Sequence, residues 1–144
     1  MSINIDVLKS QVSKYKLDKN TAPEYHVQLF TLEPEMAEYY GADGIDPDCL
    51  YSSQKFIMQG MNEIQSFFRL VNSYGDDSAW RQACSNFKEL YNDNEIPLEK
   101  FSKVTNAIVA AISKHTGDIS PEQKESWKNL IQKASDDMKS FGWY

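Results

Sequence analysis

The chain has 144 residues, of which 41% are apolar and 25% charged, and its formal net charge is −6. That length suits one domain over residues 1–144 with a real hydrophobic core, and the composition is that of a folded chain rather than a disordered one. The negative field argues against phosphate backbones and anionic lipid, so neither nucleic acid nor membrane is an expected partner.

From Met1 to Lys14 apolar and polar residues alternate without the apolar run of a signal peptide. No stretch reaches the roughly 20 apolar residues that a membrane span requires. Cys49 and Cys84 are too few for a disulfide scaffold and lack metal-ligand spacing. Free thiols point to the cytoplasm, with an extracellular fluid left open.

Apolar residues recur at helical spacing almost everywhere, which predicts an all-α chain. Ile5, Leu8, Val12 and Tyr15 form a short first helix, closed by the polar stretch from Leu17 to Asn20. Thr21 is placed to cap the next, with Pro23 in its first turn and Tyr25, His26, Leu29 and Phe30 along it to Glu33. Pro34 interrupts it, so residues 34–40 form a separate short helix at a new angle. A turn-rich connection covers residues 41–48. The longest helix is predicted over residues 52–73, with Phe56, Gly60, Ile64, Phe67, Phe68 and Val71 on one stripe.

Beyond the loop at residues 74–78, Ser78 is placed to cap a helix bearing Trp80, Phe87 and Leu90, which breaks at Asn92 to Glu95. Pro97 opens an amphipathic helix with Phe101, Val104, Ile108 and Ile112. After a turn, Ser120-Pro121-Glu122-Gln123 starts a last helix carrying Trp127, Leu130, Ile131, Ala134 and Met138. Seven or so helices of unequal length, broken by prolines, suit steep crossings around a central pocket better than a four-helix bundle.

Several local patterns carry a resemblance. They are Pro34 before a short third helix, Tyr40 near the following corner, the run Phe56-Ile57-Met58-Gln59-Gly60, and the spacing of Tyr74, Trp80, Phe101 and Trp127. Together, from Thr21 to Phe141, the chain resembles the globin family, most closely the nematode globins. That implies a globin fold, with Gln59 facing a bound gas and Tyr40 at the usual phenylalanine that packs on haem.

The departures from that pattern bear on function. The resemblance places Tyr91 where a globin has the histidine that holds iron, four residues after Phe87. The chain's two histidines, His26 and His115, lie outside that helix, and His115 reads as a surface residue. Glu63 stands at the branched aliphatic position over the iron, and His26 where nematode globins carry a gas-bonding tyrosine. His26, Tyr40, Gln59, Glu63 and Tyr91 are therefore expected to face the space of the porphyrin, where an unpaired carboxylate costs several kcal/mol, about 3–5 if a partner is removed.

Three readings follow. In the first the pocket is filled by side chains, with His26 and Glu63 in a charge-assisted hydrogen bond and Gln59, Tyr40 and Tyr91 completing a polar network. Phe67, Phe68, Phe87, Tyr91 and Phe101 supply the bulk, no cofactor or metal is held, and the chain binds a small apolar ligand or a protein partner. In the second, haem is held through Tyr91 or His26 for gas binding or sensing; Tyr91 would then need a lowered pKa and an adjacent cation, with Lys88 one turn back. In the third the polar core only stabilises an interaction protein. Pairing of two copies through helix faces stays open. No nucleophile–base–acid set is visible, so the chain is not expected to be an enzyme.

Overall fold

Prolines and capping side chains set where the chain turns. The computed structural model describes residues 2–144. It contains α1 (Ile5–Lys14), α2 (Glu24–Leu32), α3 (Met36–Tyr39), a 3-10 segment (Pro47–Ser52), α4 (Gln54–Ser73), α5 (Asp77–Asp93), a second 3-10 segment (Leu98–Lys103), α6 (Thr105–Thr116) and α7 (Pro121–Ser140). The described residues form no strand, as the all-α pattern predicts. No helix is long and apolar enough to cross a membrane.

Pro34 ends α2 through Glu33, whose φ of −130° is extended, since a residue before proline avoids the helical region. At Ser120 both halves of the capping box form: its hydroxyl accepts from the Gln123 amide, and the Gln123 side chain accepts from the Ser120 amide. Other starts differ from expectation. Asp76, not Ser78, caps α5 by accepting from the Ala79 amide at 3.1 Å, an anion at a helix start being doubly favoured. Thr21 leaves α2 uncapped, because its hydroxyl donates to the Lys16 carbonyl at 2.7 Å. The helix expected from Pro97 becomes a 3-10 turn followed by α6 from Thr105.

Long buried stripes at i, i+3/i+4 spacing turn α4, α5, α6 and α7 inward. Leu8, Ile64, Phe67, Phe87, Phe101, Ile108, Ile112, Trp127 and Leu130 are at most 1% exposed. Buried indoles also tie the helices together. Trp127 Nε1–H donates to Gln11 on α1, and Trp80 Nε1–H to Asp137 on α7, both at 2.8 Å. Phe68, expected on the core stripe, is half-buried and meets Tyr15 edge-on, 5.6 Å between ring centres.

Two contacts position the centre of the molecule. At the first, α4 crosses the start of α2 at Gly60, where an added Cβ would stand 1.9 Å from the Ala22 carbonyl oxygen. At the second, Glu24 at the head of α2 is fully buried. Its carboxylate accepts from Tyr51 Oη (2.7 Å), Gln28 Nε2 (2.9 Å) and His115 Nε2 (2.9 Å), with Lys114 Nζ 3.3 Å away. His115 is thus no plain surface residue: it and Lys114 lock the end of α6 to α2. Burial works to raise the Glu24 pKa, but the three hydrogen bonds and the Lys114 charge outweigh it and hold the carboxyl below its ordinary value of 4.5.

Gly60→Ala has no flexible neighbour to displace, only backbone, so it should destabilise by about 2–3 kcal/mol in urea unfolding. A lowered carboxylate pKa gives stability that is complete above the ordinary value and is lost as pH falls through the folded value. Glu24→Gln should therefore cost about 1–3 kcal/mol at pH 7. Its stability curve should also fall less than that of the parent chain below pH 4.5; parallel acid limbs would show that Glu24 carries none of that loss.

Candidate functional site

The buried side of α4 carries Phe56, Gly60, Glu63, Ile64 and Phe67. Helical spacing thus places one carboxylate among apolar neighbours, and it is fully buried. Three donors converge on it from three elements. His26 Nε2 of α2 meets Glu63 Oε2 in a short contact, and Gln59 Nε2, one turn back on α4, donates to the same oxygen at 3.2 Å. Tyr40 Oη, from the end of α3, donates to Oε1 at 2.8 Å. Lys55 Nζ holds the Tyr40 carbonyl at 2.6 Å, so both ends of that residue are fixed.

Aromatic rings enclose this network. The His26 ring lies 4.9 Å from those of Tyr25 and Tyr40, 5.4 Å from Phe56 and 5.7 Å from Phe30. Burial, with the Glu63 charge second, pushes the Tyr40 phenol well above its ordinary value, so it remains a neutral donor. Two polar atoms in the same region, Tyr25 Oη and His26 Nδ1, are buried without a partner. Each is a cost of about 1–3 kcal/mol that a purely apolar filling would avoid.

Below the network, Phe67, Phe87 and Phe101 pack ring against ring. Phe67–Phe87 and Phe87–Phe101 are 4.8 and 4.7 Å apart, and Phe67–Phe101 is a stacked pair at 6.2 Å. Tyr25 joins them through Phe67 at 5.1 Å, and Tyr91 through Phe101 at 6.0 Å.

Of the five positions singled out in the sequence, His26, Tyr40, Gln59 and Glu63 come together in one hydrogen-bonded set. Tyr91 stands apart from it. Its ring is 1% exposed and belongs to the aromatic layer, and none of the three donors to Glu63 is its hydroxyl. Burial first, then the charge of Glu63, raises its pKa well above the ordinary phenol value. Tyr25, the neighbour of His26 in sequence, packs edge-on against its ring without joining the hydrogen bonds, a contact that the sequence pattern does not signal. Cys84 is buried, which pushes its thiol up to about 12 and leaves it unreactive at neutral pH.

A double-mutant cycle measures the central bond. Tyr40→Phe should lower stability by about 1.5–3 kcal/mol, the range for hydrogen bonds to charged groups. In a Glu63→Leu background the same change should cost at least about 1 kcal/mol less. Additive effects would mean that the Tyr40–Glu63 bond contributes nothing.

The comparisons with known proteins agree with this architecture. Two structures of the C. elegans globin-like protein GLB-1 share the fold. One, at high resolution, has a TM-score of 0.82 at 14% identity, covering 96% of this chain and 93% of that one. The other, at low resolution, has a TM-score of 0.79 at 15% identity and covers 98% of each chain. At such identities the likeness establishes the fold alone. No curated protein matches the sequence significantly. The globin family model matches residues 24–138, most of the chain and all the elements from α2 nearly to the end of α7, and the chain therefore belongs to the globin family.

Proposed function

We propose that this globin works without haem, as a binding protein for a small apolar ligand or a protein partner, with side chains occupying the haem space. The packing of Phe67, Phe87 and Phe101 in mutual contact beside Tyr91 carries this reading. Those rings lie between α4, α5 and the 3-10 segment before α6 and leave their shared volume to one another.

Donor chemistry supports it as well. A haem iron needs a strong axial donor from the protein, a tyrosinate or an imidazole among others. The α5 position offers the phenol of Tyr91, which burial and the nearby Glu63 charge both keep protonated. The cation one turn back, Lys88, lies over Trp143 instead, 4.8 Å from its ring centre. On the opposite wall, Nε2 of His26 is engaged by Glu63. A flat apolar macrocycle would have to displace a carboxylate already satisfied by three donors, at the cost of several kcal/mol. As this chain presents them, these residues do not fit haem.

Membership of the family favours a second reading, a globin that holds haem by an unusual ligand, Tyr91 or His26, for gas binding or sensing. Titration of the purified protein with haemin, followed in the Soret region, separates the two. The haem-free reading expects no stoichiometric band. A one-to-one band would overturn it, and loss of that band in Tyr91→Phe or in His26→Ala would identify the ligand.

A further inference from the structure

Besides its place in the aromatic layer, Tyr91 lines a surface cleft of about 320 Å³. The buried side chains Tyr91, Ile96 and Leu98 form its floor, and half-buried Trp143 forms one wall. Exposed Lys88, Glu89 and Asn92 stand at its rim. An apolar floor, an aromatic wall and a few polar groups at the edge are the usual makings of a small-molecule site, and this volume is at the small end of that class.

The chain holds this wall in place by its own means. Gly142, at a φ of 79°, reverses the backbone just past α7, and the Trp143 amide donates to the Met138 carbonyl at 3.1 Å. Trp143 then packs on Phe141, with ring centres 4.9 Å apart. Two cations of α5 fix the pair from outside: Arg81 lies 4.3 Å from the Phe141 ring centre and 5.6 Å from that of Trp143, and Lys88 lies 4.8 Å from Trp143.

Charge narrows the class of ligand. The net charge of the chain is −6, yet the one cation among the lining residues, Lys88, lies over the aromatic wall itself, and Glu89 is the one carboxylate among them.

We propose that the cleft between Trp143 and the Tyr91–Ile96–Leu98 floor binds a flat aromatic carboxylate of one or two rings. The ring system lies against Trp143, and the carboxylate faces Lys88. This names the ligand class within the binding role proposed above and rests on that reading. A carboxylate gains from Lys88 what a neutral analogue does not, and Glu89 repels any ligand that turns its charge the other way.

The test uses the full chain, labelled with ¹⁵N, and 1-naphthoate with 1-naphthalenemethanol as its uncharged counterpart. Naphthoate should shift the Tyr91, Ile96 and Leu98 amides and the Trp143 indole N–H saturably. Lys88→Gln, which leaves Arg81 on the Phe141 and Trp143 rings, should weaken naphthoate about three- to fivefold more than it weakens the alcohol. Trp143→Ala should weaken both probes. Absence of saturable shifts, or shifts centred on other residues, would overturn the site. Equal binding of naphthoate by Lys88→Gln and the parent would overturn the carboxylate class. Haemin titration alone decides the haem-free reading, so the two can fail separately.

Discussion

The interior of this globin is organised around one carboxylate. Glu63 is fully buried, and a charge in that position is tolerable only when its oxygens are met by donors. The donors come from α2, α3 and α4 itself, so the need to satisfy Glu63 fixes the separation of α2 from α4 and the position of the short α3 beside them. Gly60 makes that geometry reachable. With no Cβ there, α4 approaches the Ala22 carbonyl closely enough for His26, one helical turn beyond Ala22, to reach Glu63 three residues on from the crossing. The tight crossing and the buried acceptor are therefore two parts of one constraint.

Much of this was legible in the sequence, for identifiable reasons. Helical periodicity and the prolines located the helices, because those signals act over a few residues. Family spacing brought His26, Tyr40, Gln59 and Glu63 to one place, and their chemistry made the hydrogen-bonded set predictable in kind. The Glu24 cluster was not legible. Glu24 and His115 are 91 positions apart, and nothing local marks either as a partner of the other. The α5 cap slipped by two residues because Asp76, Asp77 and Ser78 are all competent caps, and the choice depends on where the chain enters. The start of α6 slipped because a proline licenses a 3-10 turn as readily as an α-helical one.

On the proposed haem-free reading, side chains must replace the apolar contact that a cofactor would have supplied. Phenylalanine does this economically, since each ring buries a large area with two torsions to fix, and edge-to-face or offset pairs add about 0.5–1.5 kcal/mol beyond area. Phe67, Phe87 and Phe101 form such a unit across α4, α5 and the 3-10 segment before α6. Tyr25 Oη and His26 Nδ1 are buried there without a protein partner, which adds a cost to the interior.

Tyr91 sits where these considerations meet. A phenol in the middle of a hydrophobic layer is expensive unless its hydroxyl has somewhere to go, and Glu63 is already satisfied from other directions. Packing resolves part of the conflict, since the ring meets Phe101 at 6.0 Å, and burial with the nearby Glu63 charge keeps the hydroxyl protonated. On the proposed haem-free reading, a tyrosine at this place keeps a neutral phenol within the aromatic layer. The working surface of the protein, on the proposed reading, has moved from the interior of α4 to the outer end of α5.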